Sequence, residues 1–150
     1  MKSNPSTASE AMSKARLRLW LKLLKATQVI EAELRRRLRE EYKTTLPRFD
    51  VLSALARHQN GLKMSELSTY LRVSNGNVTG IVDRLMDDGL VLRVAIEGDR
   101  RAHLARLTPK GCAVFKDLAE KHEAWVDELL GTLSPEEADT IRATLSKLEI

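Results

Sequence analysis

The sequence predicts a mainly α-helical chain that carries one small β-hairpin. Apolar residues recur at helical spacing through most of the 150 residues. A single stretch, "LVLRVAIEGDRRAHLARLT", alternates at period two about a short polar link, the pattern of an antiparallel hairpin. Proline and capping residues at helix starts, and glycine at helix ends, divide the rest into separate helices. The length suits one domain or one domain with an extension, and a hydrophobic fraction of 43% is enough for a core.

The elements follow in order. Residues 1–8 contain serine, asparagine and proline and read as a loose tail. Residues 9–42 hold neither glycine nor proline, and Leu17, Trp20, Leu24, Leu34 and Leu38 form one apolar stripe, with Leu19, Leu23 and Ile30 beside it. That spacing predicts a helix of roughly 30 residues, roughly 45 Å long. A helix of such length usually packs against something beyond its own domain. Pro47 opens a second helix with Phe49, Leu52, Leu55 and Ala56 inward, stopped at Asn60 and Gly61. "MSELSTYL" is a short third helix with Met64, Leu67 and Leu71 inward, and "RV" is a tight link to the next, "VSNGNVTGIVDRLMDDG", which Gly89 ends.

After the hairpin, Thr108 and Pro109 start a helix with a side-chain cap and a proline in its first turn. It carries Val114, Phe115, Leu118, Trp125, Val126 and Leu129. Gly131 interrupts it, and "SPEE" is a capping box that begins a last helix showing Ala138, Ile141, Leu145 and Leu148. Two consecutive short helices followed by a hairpin make a winged helix-turn-helix. The long outer helices are left over, and joining them across a two-fold axis is the simplest way to bury them. The expected division is a tail and dimerisation helix over 1–45, a DNA-binding winged helix over 46–107, and dimerisation helices over 108–150.

The helix around Gly76 and Gly80 is a poor one, since each glycine costs about 1 kcal/mol relative to alanine. On a helical wheel Val78, Ile81, Val82 and Leu85 share one side, which reads as core. Gly76 and Gly80 lie almost opposite, flanked by Asn77, Thr79 and Arg84. Bare glycines on the outermost line let a backbone approach closely, as in a DNA major groove, where asparagine can pair with adenine and threonine can touch a thymine methyl or a phosphate. Ser74 at the helix start suits a cap or a phosphate contact. Asp83, Asp87 and Asp88 make the far half acidic, read as a solvated end, so the helix is expected to enter a groove N-terminus first. In the hairpin, "GDRR" puts Arg100 and Arg101 at a loop tip, where arginine suits a narrow minor groove. Asp99 is expected to orient one of them through a salt bridge.

Other classes find little support. A net charge of +4 with 31% charged residues suits a polyanion partner without proving one. No apolar run is long enough to span a membrane, and the N-terminus lacks the apolar core of a secretory signal, so a cytoplasmic location is expected. Cys112, the sole cysteine, excludes an intrachain disulfide and is expected to be a small buried apolar residue. His58, His103 and His122 are scattered, so no metal site and no cofactor are expected. No catalytic motif occurs, so the chain is not expected to be an enzyme.

The run "LKMSELSTYLRVSNGNVTGIVDRLMDDGLVLRV", followed by "EGDRRAHLARLTPKG", resembles the MarR family of bacterial transcriptional regulators. The "DRRAxxxxLTxxG" wing with the helix after it is the more specific half, because the helix-turn-helix alone fits many families. The resemblance extends over the outer helices, nearly the whole chain. It implies a homodimer with interlocked terminal helices on a pseudo-palindromic, double-stranded operator. It places Ser74, Asn75, Asn77 and Thr79 in the major groove, Arg84 on the backbone, Arg101 in the minor groove and Arg100 on or near phosphate. The wheel puts the same helix residues outward, apart from Asn75 at the shoulder.

Members of that family often release DNA in response to an oxidant, a metal or a small molecule. The family's thiol route uses a cysteine early in the first helix, and none stands there. A small organic effector is left. Thr27 and Gln28 interrupt the apolar stripe beyond Trp20 and Leu24, as polar groups do in a ligand-orienting wall, although they suit hydrogen bonds across a dimer core equally well. The segments "WLKLLKATQVIEAELRRRLRE" and "LPRFDVLSAL" resemble a subgroup that responds to aromatic acids or aryl-CoA thioesters such as hydroxycinnamoyl-CoA. By that resemblance Trp20 and Phe49 stack on an aryl group, and Arg16, Lys22, Lys25 or Arg48 meets the CoA phosphates. Arg35, Arg36 and Arg37 read as a solvated helix face. The competing expectation is a winged-helix dimer that acts as a protein-interaction module, an antirepressor, without binding DNA.

Overall fold

The computed structural model describes residues 5–71 and 75–148. The order is α1 (Pro5–Tyr42), α2 (Leu46–Arg57), β1 (Leu62–Lys63), α3 (Met64–Leu71), α4 (Asn75–Asp87), β2 (Val91–Ile96), β3 (Asp99–Leu107), α5 (Pro109–Leu129) and α6 (Pro135–Leu145). α1 runs for 38 residues, starting four positions before the sequence reading put it. Proline is tolerated in a first helical turn, and pairs such as Lys14–Glu10 support the exposed turns that follow. The helix stops without glycine: Lys43 takes a φ of 53°, and Thr44 N–H reaches back to the Leu38 carbonyl.

Thr45 caps α2, its side chain accepting from Arg48 N–H. Phe49, Val51, Leu52, Ala54 and Leu55 then face the core. α2 ends at Arg57, and Gly61, at a φ of 96°, turns the chain into β1. This strand is absent from the sequence reading, which saw only a hairpin. It pairs antiparallel with β3, Leu62 opposite Ala105, giving a three-stranded sheet in the order β1-β3-β2.

The largest fully buried side chains, Leu38, Val51, Leu52, Leu55, Leu67, Val78, Val82 and Leu85, come from α1, α2, α3 and α4. α5 enters this core at Gly111, where an added Cβ would lie 2.0 Å from the Leu90 carbonyl oxygen. Thr108 caps the helix, accepting from Gly111 N–H, and its own hydroxyl donates to the Gly89 carbonyl. Cys112 is exposed, contrary to the expected burial; its neighbour Gly111 is the residue that faces inward.

Arg37 also departs from the solvated face expected of its run. With 15% of its side chain exposed, it bridges Glu33 on its own helix and Glu128 on α5, each at 2.7 Å. The part of α1 before Ile30 has no such cover. Leu17, Leu19, Trp20, Leu21 and Val29 are all more than half exposed in the chain. No helix of the described residues is long and apolar enough to cross a membrane.

Candidate nucleic-acid interface

α4 shows the two-sidedness read from the wheel. Val78, Val82 and Leu85 are fully buried, and Ile81 packs partly against them. Gly76, Asn77, Thr79, Gly80 and Arg84 are exposed. A Cβ built on Gly76 or Gly80 meets nothing within 4 Å, so packing inside the chain does not require either glycine. The strip is bare toward open space. Asn75 is the first residue of α4, and Ser74 lies outside the described residues.

The wing differs in detail from the sequence reading. The turn between β2 and β3 is made by Glu97 and Gly98, the latter at a φ of 86°. Arg100 and Arg101 are therefore not at a loop tip but in β3. Ala95 faces His103 while the next residue, Ile96, faces Asp99. Arg100, Arg101 and Ala102 are thus accommodated in a bulge, a feature that twists a strand and re-aims its side chains. Both arginines are exposed. Asp99 holds this bend differently from the salt bridge expected of it: its carboxylate accepts from the Arg101 backbone N–H at 3.0 Å.

The acidic half of α4 is not simply solvated. Asp83 pairs with Arg93 of β2 at 2.7 Å, tying the helix to the wing, and Asp88 pairs with Arg48 of α2. Arg93 escaped the sequence reading because its partner lies ten positions away on a different element. Its place in an alternating strand was the only signal.

The residues expected to bind an effector fall into two groups. Arg16, Trp20, Leu24, Thr27 and Gln28 lie on the exposed part of α1, as do Lys22 and Lys25. Arg48 lies in the wall of a 580 Å³ cavity with Tyr42, Leu52, Leu90, Val114 and Leu118. Phe49 faces the core instead. Its ring stacks on His122 at 4.5 Å and meets Phe115 at 5.7 Å, so it is not presented to an incoming aryl group. Burial holds the His122 imidazole below the usual histidine range.

Two buried-backed helices, an exposed second helix and an arginine-bearing hairpin define a winged helix-turn-helix transcriptional regulator. The chain belongs to the MarR family. The family model matches residues 44–103. The transcriptional activatory protein BadR of Rhodopseudomonas palustris is 35% identical over 130 residues, covering 85% of this chain and 74% of BadR. The fold superposes with a TM-score of 0.76 on a MarR family transcriptional regulator from Silicibacter pomeroyi, at 34% identity over 91% of this chain and 94% of that one. It also matches BpsR of Bordetella bronchiseptica, a structure described as showing regulation of DNA binding by 6-hydroxynicotinic acid, with a TM-score of 0.71 and 28% identity over 83% and 88% of the two chains.

Proposed function

We propose that this regulator binds a pseudo-palindromic DNA operator as a homodimer and lets go when a small aromatic ligand binds. One observation carries the DNA-binding reading: the outward face of α4 is bare at Gly76 and Gly80, with none of the described residues within 4 Å of a Cβ built there, beside a wing that exposes Arg100 and Arg101. Asn75, Asn77 and Thr79, with Ser74 before them, read the major groove, Arg84 and Arg100 meet the backbone, and Arg101 enters the minor groove. A dimer seated over a promoter occludes polymerase, so repression is the direct outcome; an operator placed upstream would reverse the sign, and BadR is named as an activatory protein.

The effector reading is supported by BpsR, whose ligand is a small aromatic acid, and by the cavity beside Arg48. That guanidinium could exchange its bond to Asp88 for a carboxylate or a CoA phosphate, loosening the end of α4. The test is anisotropy on the DNA upstream of the gene that encodes this chain, over a salt series. Affinity is expected to fall steeply with salt through counterion release and to weaken on adding aromatic acids or their CoA thioesters. Weak binding that stays flat with salt on every promoter-sized fragment would replace this reading with the interaction module.

A further inference from the structure

A cavity of about 380 Å³ lies between α4, the wing and the start of α3. Lys63 and Ser65 form one wall, Thr79 of α4 another, and Arg93, Arg101 and His103 of the wing the third. Three of these are permanent cations contributed by different elements. Two carboxylates stand against these three: Asp99, which also lines the cavity and accepts from Arg101 N–H, and Asp83, which pairs with Arg93, so one positive charge is left in excess. A recess whose cations outnumber its carboxylates, opening to the side on which DNA would lie, suits an anion.

We propose that this recess clasps a backbone phosphate of the bound duplex, with Lys63 and Arg93 as its principal cations and His103 and Ser65 at its edge. The inference rests on the DNA-binding reading above and adds residues to it. If α4 lies in the major groove and the wing in the flanking minor groove, the strand that separates the two grooves must cross the gap between helix and wing. The recess occupies that gap. The Asp83–Arg93 pair then sets the gap's width, because it fixes helix to wing before DNA arrives. Ser65 and Lys63 stand at the first turn of α3, where Lys63 N–H is already taken by the Glu66 carboxylate at 3.0 Å. The side chain of Lys63 is exposed and adds charge without any rearrangement of that turn.

The test uses the full chain and a short mixed-sequence duplex, which needs no knowledge of the operator. The slope of log affinity against log salt is measured for wild type, Lys63→Gln, Arg93→Gln and Lys121→Gln, the last removing one exposed charge from α5, away from the recess. The slope is expected to fall by about 1 for each engaged clasp in the Lys63 and Arg93 variants and to stay unchanged in the Lys121 variant. Circular dichroism melting accompanies each; Lys63→Gln, on an exposed side chain, keeps the test open if Arg93→Gln does not fold. An unchanged slope in folded Lys63→Gln, or an equal fall in Lys121→Gln, overturns the clasp alone. Wild type without salt-dependent affinity for any duplex overturns the DNA-binding reading and the clasp with it.

Discussion

Gly80 sits mid-helix, where glycine costs about 1 kcal/mol against alanine, and no neighbour needs the space its side chain leaves. Among the described residues no contact calls for a glycine there, which fits a close approach from outside the chain. Gly80→Leu is expected to stabilise the fold by up to about 1 kcal/mol while blocking duplex binding; melting and anisotropy on the same sample check both halves. A variant that binds as wild type does would remove close approach from the mechanism. Arg101→Ala is expected to weaken operator binding by about 1–3 kcal/mol if the side chain reads the minor groove, and unchanged affinity would remove the wing from the interface. The face of α4 could be read from the sequence because a wheel needs only the helix itself. The bulge that aims Arg101 could not, since it depends on how β3 registers against β2. Cys112 was misread for a related reason, since which way it faces is decided by the elements packed across from it; Phe49 does face inward as expected, but its partners Phe115 and His122 on α5 were not legible.

The helices were predictable from local chemistry: the Thr108 cap, the reciprocal Ser134–Glu137 capping box and the prolines after them act within a single turn. β1 was not, because two residues cannot show alternation and their partners lie some forty positions onward. The joints between elements were equally hidden. At one of them Arg37 locks α1 to α5 through Glu33 and Glu128. Hydrogen bonds from Arg36 and Arg37 hold the Glu33 carboxyl down at about 2, and Arg37 likewise lowers Glu128. A carboxyl whose pKa is lower folded than unfolded stabilises fully above its unfolded value and loses that contribution as it becomes protonated. The melting temperature is therefore expected to drop as pH falls from about 4.5 toward about 2. In Arg37→Gln the neutral-pH value should already be lower and the acid-driven drop smaller; an identical acid profile in the variant would show the joint contributes nothing. Gly111 makes the second joint. Its missing Cβ lets α5 pass the Leu90 backbone, and Gly111→Ala is expected to cost about 1–3 kcal/mol in urea unfolding, as overpacking does.

The whole molecule presents a core that closes around the winged helix and leaves α1 uncovered before Ile30. Leu17, Trp20 and Leu24 form one line along that exposed part, and Ile141 and Leu148 are exposed near the other end of the chain. Fully burying a side chain of this size contributes about 1.5–3 kcal/mol, so a stripe of them left in water is a standing drive toward association. A two-fold partner would satisfy that drive and would also space two α4 helices for two half-sites about one helical turn apart. On that proposal Thr27 and Gln28 would fall inside the shared wall, where each would take a polar partner from the other copy or from a ligand. Wild type is expected to sediment near twice 16.9 kDa. Trp20→Asp or Leu24→Asp, placing an unpaired charge in that wall, should shift it to monomer without unfolding the winged helix, whose core draws on neither residue. The monomer should keep weak, salt-dependent duplex affinity and lose the preference for paired half-sites. A wild-type chain that sediments as a monomer at micromolar concentration would leave the exposed stripe without its proposed partner and α4 limited to a single groove.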